Sequence, residues 1–176
     1  MNRHACVDES YRRNYLQCAV VVNANDVRAI RGTLVSMLRK NQRRIHMAKE
    51  NRASKKIIVN RISTLPITTI MVSAAMSGRS RRSARNITLT SLTELLHEHG
   101  VTRVIIESCG QDHEDRQVIG DRLAQLSALG ALDLHHLRPS EDALLWLPDI
   151  VAWVHGNPGT EWVEARRSLS ITELAI

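Results

Sequence analysis

From residue 67 onward the sequence alternates short apolar runs with longer stretches of helical spacing, and this alternation sets the fold class. Ile67–Ala75 is β-branched and apolar and reads as a strand. Ile87, Leu89, Leu92, Leu95 and Leu96 follow at helical spacing and stop at Gly100. Val101–Glu107 is β-rich and suits a buried strand. Asp112–Leu129 reads as a helix ended by Gly130, and Ala131–Leu137 as a strand. Ser140 and Glu141 then open the apolar helical stretch Ala143–Val154. Strands alternating with helices call for an α/β sheet with both faces covered.

The first third fits the same plan. His4–Asp8 and Tyr15–Val22 read as strands, and the spacer Glu9–Asn14 makes them a hairpin. Asn25 or Asp26 caps a helix carrying Val27, Ile30, Leu34, Val35 and Leu38, which ends near Lys40. Residues 41–51 show no clear period. Ser54–Leu65 is helical until Pro66 stops it. We expect residues 1–160 to form one domain and 161–176 an amphipathic C-terminal tail starting at about Trp162. At 176 residues, 43% apolar and 24% charged, the chain is long enough to bury a single core. Cys6, Cys18 and Cys109 are odd in number and widely spaced, which excludes a disulfide scaffold or a cysteine zinc site. No apolar run approaches the roughly 18 residues of a membrane helix, so a cytoplasmic protein is the expectation. Phe is absent, and Tyr11, Tyr15, Trp146, Trp153 and Trp162 are the only aromatics, too few for an aromatic base-stacking platform.

Charge is polarised along the chain. Residues 1–100 carry net +12 and residues 101–176 net −6. Eleven basic residues and one acid, Glu50, lie between Arg28 and Arg61, and a second basic cluster spans Arg79 to Arg85. Such a track suits a polyanion such as nucleic acid, although a solvated helix face has the same composition.

Three acids stand where an acid needs a reason. Asp8 ends the run Ala5-Cys6-Val7, Glu107 ends Val104-Ile105-Ile106, and Asp149 lies within the apolar stretch Leu144–Trp153. Singly they have ordinary explanations: a turn residue, a surface acid at a strand end, and a first-turn acid after Pro148. Burying one unpaired carboxylate is costly. Three of them can share a hard divalent cation such as Mg²⁺, which prefers oxygen ligands.

The order hairpin, strand, helix, strand, helix, strand, helix, with acids at these three places, resembles the RNase H-like fold. More narrowly, the chain resembles the RNase H-like family called domain of unknown function 3800. That likeness rests on Cys6-Val-Asp-Glu-Ser10, Ala19-Val-Val-Val22, Arg44-Ile-His46, Val104-Ile-Ile-Glu-Ser108 and Leu144-Leu-Trp-Leu-Pro-Asp-Ile-Val-Ala-Trp153. The resemblance implies a mixed sheet with helices on both faces. It also implies that Asp8, Glu107 and Asp149 meet at one sheet edge as metal ligands for Mg²⁺ or Mn²⁺, with Asp8 bridging; Glu9 is a candidate helper, although strand alternation points it to the other face. RNase H enzymes carry a further acid on their first long helix. Here the helix after Ser83 has none before Glu94, and Asp112, Glu114 or Asp115 are the candidates to compensate.

The implied chemistry is phosphodiester hydrolysis. Arg43, Arg44, Arg82 and Arg85 would hold phosphates, and His46 would relay a proton or touch phosphate. His135 and His136 adjoin on a strand and point to opposite faces, so they do not ligate together. Cys6 is a packed small hydrophobe rather than a nucleophile. Two other readings share this fold: an inactive nucleic-acid-binding module, and a protein-interaction subunit. The latter would pair with a partner or a second copy through Trp146, Trp153, Trp162 and Leu169–Ile176, unless those tryptophans simply pack in the core.

Overall fold

The computed structural model describes residues 2–11 and 13–176. β1 (Arg3–Tyr11) and β2 (Tyr15–Asn23) form an antiparallel hairpin in which Asp8 faces Cys18 and Glu9 faces Gln17. β3 (Ile67–Ala74) pairs antiparallel with β2. β4 (Val101–Glu107) lies parallel to β1, and β5 (Asp133–Leu137) parallel to β4. β6 (Ile171–Ala175) adds parallel to β3, giving the order β5-β4-β1-β2-β3-β6.

Helices cover both faces. One face packs Cys6, Cys18, Val20, Met71 and Ile105 against α1 (Val27–Ser36), α2 (Arg52–Ile62) and α5 (Trp146–His155). The other packs Val7, Val21, Ile70, Val72 and Ile106 against α3 (Arg81–Glu98) and α4 (Asp112–Gln125). The central strands of this mixed sheet are therefore apolar on both sides, as a sheet covered on both faces requires. Each fully buried aliphatic side chain here contributes about 1.5–3 kcal/mol.

Several boundaries differ from expectation, for local reasons. α1 stops at Ser36, before the basic run, and residues 41–51 hold a single 3₁₀ turn, Met47–Lys49. α3 starts at Arg81, because the Ser80 side chain accepts from Ser83 N and caps it; the second arginine cluster is thus a helix start. Ala143–Leu145 is a 3₁₀ turn leading into α5. Gly100, at φ +65°, turns the chain from α3 into β4.

Residues 161–176 are no appendage. A 3₁₀ turn (Thr160–Trp162) and α6 (Val163–Ser168) bury Trp162 and Leu169 in the α5-side core, and β6 completes the sheet. Trp146 is buried too, its Nε1 donating to the Pro139 carbonyl at 2.7 Å. Trp153 meets Trp162 edge-on at 5.1 Å. Trp146 and Trp162 therefore pack inward, while Trp153 is half-buried, with Lys55 over its ring. No helix among the described residues is long and apolar enough to cross a membrane.

Candidate active site

β1 and β4 are parallel neighbours, so their C-terminal ends share one edge of the sheet. The register pairs Val7 with Ile106, which sets Asp8 beside Glu107. Because Cys6 packs on the α5 side, strand alternation sends Asp8 to that side as well. α5 brings Asp149 in its first turn. The three acids line one pocket of ≈ 150 Å³ together with Arg44 and His46.

The segment after α1 is fastened to this pocket through Asp149. Its Oδ2 accepts Met47 N at 2.8 Å and lies 3.2 Å from His46 Nδ1. Arg44 Nη1 sits 4.0 Å from Glu107 Oε1. Asp8 Oδ1 accepts Glu9 N at 2.7 Å. Burial, followed by the charges of Glu107 and Asp149, pushes the Asp8 carboxyl up to about 8. Burial also raises Glu107, although Arg44 opposes the shift. Two half-buried carboxyls thus stand side by side at this sheet edge, each raised by burial and by acidic neighbours.

This donor set fits a hard divalent cation, since every candidate ligand atom is a carboxylate oxygen and the local charge is under-compensated. The set is open. Among the described residues the compact group, with ligand atoms all within 4.8 Å of one another, is instead Cys109, Asp112 and Asp115. That group is already internally satisfied. Asp112 accepts from Ser108 Oγ at 2.6 Å and Cys109 N at 2.7 Å, and Asp115 is held by Arg85 and His136.

The opposite face carries a buried network that the sequence reading missed. Arg85, 3% exposed, grips Asp115 with Nε and Nη2, both at 2.8 Å, and reaches Glu9 and Tyr15 with Nη1. His136 Nε2 lies 3.0 Å from Asp115 Oδ2. Burial works against the Arg85 charge, but the bonds to Asp115 outweigh it and raise its pKa.

Three expectations need correcting. Arg85 is enclosed and fully engaged, so it cannot hold a phosphate. Asp115 belongs to this network and does not assist the three acids; the Glu9 side chain also binds Arg85 and Tyr15, while Glu9 still lines the three-acid pocket and its N–H donates to Asp8. Glu114 pairs with Arg82 at 2.7 Å and accepts from Asn86, so it does not compensate either, and Arg82 lies outside the pocket. Arg43 is exposed next to Arg44. His135 faces Asp133 at 2.9 Å while His136 faces Asp115, so the pair does point to opposite sides. Cys6 is buried, its thiol pushed up by burial and donating to the Val20 carbonyl, as a packed hydrophobe should be.

No protein-family model and no curated protein matches the chain. Among solved structures it is similar to RNase HII in the PCNA:RNase HII complex from Archaeoglobus fulgidus. The TM-score is 0.54 and the identity 12%, over 95% of this chain and 84% of that one. Two Bst-RNase HIII structures, a mutant and a complex with Mn²⁺, align at TM-scores of 0.49 and 0.47 with 14% and 15% identity. They cover 85% and 86% of this chain, which spans half of theirs. The sheet order, the helices on both faces and the RNase HII likeness make this an α/β RNase H-like fold.

Proposed function

We propose that the protein is a divalent-metal-dependent nuclease with Asp8, Glu107 and Asp149 as its metal-holding carboxylates. The convergence of these three acids in one pocket carries the reading, and the raised Asp8 and Glu107 carboxyls support it. Mg²⁺ or Mn²⁺ held here would supply Lewis-acid activation of a water and charge stabilisation at the phosphorus. The chain's own residues do the rest. Arg44 at the pocket wall and Arg43 beside it hold non-scissile phosphates, as forked donors suited to that geometry. His46, hydrogen-bonded to Asp149, is placed to contact phosphate or pass a proton at the leaving oxygen. Met47 N holds the Asp149 carboxylate in place through Oδ2.

The test is cleavage of single- and double-stranded DNA and RNA and an RNA–DNA hybrid, with Mg²⁺, Mn²⁺ or chelator. Asp8→Asn and Asp149→Asn should abolish metal-dependent cutting while leaving the protein folded. Cutting retained by pure Asp8→Asn protein would sink the assignment. A folded wild type that cuts nothing but binds nucleic acid, and loses binding on charge reversal at Arg43 and Arg44, would be a binding module.

A further inference from the structure

A second pocket, of ≈ 190 Å³, lies on the same face of the sheet as the three acids. The two pockets follow one stripe of α5. Trp146 and Asp149 line the first, and Ala152, His155 and Gly156 line the second. From Asp149 to Gly156 is about 10 Å along the helix axis. Ser10 marks the same step on β1, since it shares the face of Asp8 and stands about 7 Å further along the strand. A single extended polynucleotide strand laid along α5 would therefore cross both pockets within about one nucleotide.

The chemistry of the second pocket differs from that of the first. Leu16 and Ala152 give it an apolar floor, while Ser73, Asn14 and Glu173 present polar groups. Glu173 comes from β6, which pairs with β3 and so brings the last strand to this site. His155 Nε2 lies 3.4 Å from Glu173 Oε2, leaving the other carboxylate oxygen to accept. Arg13, exposed at the same pocket, is a cation for a neighbouring phosphate. A cleft lined by apolar residues and a carboxylate acceptor suits a nucleobase bearing an exocyclic amino group, as a carboxylate does when it accepts from cytosine N4.

Resting on the nuclease reading, we propose that this pocket receives the base of a nucleotide adjoining the scissile phosphate. The base enters unpaired, because its hydrogen-bonding edge must face Glu173 rather than a complementary strand. The substrate class is then single-stranded or locally unpaired nucleic acid, with adenine, guanine or cytosine favoured over thymine or uracil at that position.

Binding is measured on the full chain in chelator, with a short oligothymidylate carrying one 2-aminopurine, a fluorescent base with an amino group. Saturable emission change is expected, with affinity at least about tenfold above plain oligothymidylate and above a duplex carrying the same base. Glu173→Leu, on an exposed edge strand and checked for folding by circular dichroism, should erase that preference. Equal affinity for all three ligands, or a preference that survives Glu173→Leu, would overturn the proposal. The cleavage panel separates the two ideas. Base preference without cutting in any metal keeps the subsite and removes the nuclease reading. Metal-dependent cutting without base preference does the reverse.

Discussion

Replacing Asp8 by Asn should stabilise the metal-free protein in alkaline solution. The ordinary carboxyl value is 3.8, and in the fold Asp8 is pushed to about 8 by burial and by its acidic neighbours. Between those values the folded protein keeps a proton that the unfolded chain has released. The folded state binds more protons, so stability falls as pH rises through that interval. A shift of about 4 units corresponds to a ceiling of about 6 kcal/mol. Relaxation of the pocket and interaction with Glu107 bring the expected cost to about 2 kcal/mol at pH 9. Asn keeps the oxygen that accepts Glu9 N but carries no charge, so it removes this cost. In chelator at pH 9 its Tm should lie about 4–8 °C above wild type, with the difference vanishing near pH 4. Mg²⁺ should raise the Tm of the wild type at pH 9 and leave Asp8→Asn nearly unmoved. A variant no more stable than wild type at pH 9, with the same pH slope, would refute the crowding of carboxylates at this sheet edge.

Arg85→Met should cost about 3–5 kcal/mol in urea unfolding, because it strands the buried Asp115 charge. Arg85→Lys should rescue little, since one ammonium cannot replace the two-pronged grip, and a loss under about 1 kcal/mol would show the network to be dispensable. Arg44→Gln should lower nucleic-acid affinity and reduce the slope of log K against log salt by about one, read by titration at several salt concentrations. An unchanged slope would place Arg44 off the phosphate path. Ending the chain at Ser168 removes buried Leu169 and all of β6, and should lower Tm by several degrees; an unaltered melt would mean that the last strand adds nothing to the sheet.

The architecture could be read from the sequence where period and punctuation agreed. Val101–Glu107 has the same bounds in sequence and structure, because a β-rich run sits between Gly100 and the Ser108–Gly110 turn. The three acids could be read because each interrupts or ends an apolar run, where a charge is conspicuous. Arg85 could not. It stands in a stretch of arginines, and only the angular position of its residue on α3, set by the Ser80 cap, turns it inward while Arg82 turns out. The role of residues 41–51 was equally hidden. They are fixed by burial of Ile45 and Met47, by Glu50 accepting from Arg39 and Gln42, and by a backbone N–H of Met47 on Asp149, a combination with no regular period. β6 escaped notice because five residues after a short helix carry too little period to register, and its partner, β3, lies about a hundred residues away.

The placement of Asp8 and Glu9 links stability to chemistry. Strand alternation gives them opposite faces: Asp8 joins Glu107 and Asp149, and Glu9 joins Arg85 and Tyr15. A one-residue slip of β1 would put Glu9 in the place of Asp8 and drive Asp8 into the place of Val7, in the apolar core of the other face. The Arg85 network resists that slip at the end of β1 where Asp8 needs a fixed direction, because it ties β1 to β2, α3, α4 and β5 at once. Like-charged carboxyls that repel one another need such an anchor more than a neutral core does. The arginine expected to hold a phosphate thus works from the far side of the sheet, keeping the acid it backs pointed at the pocket.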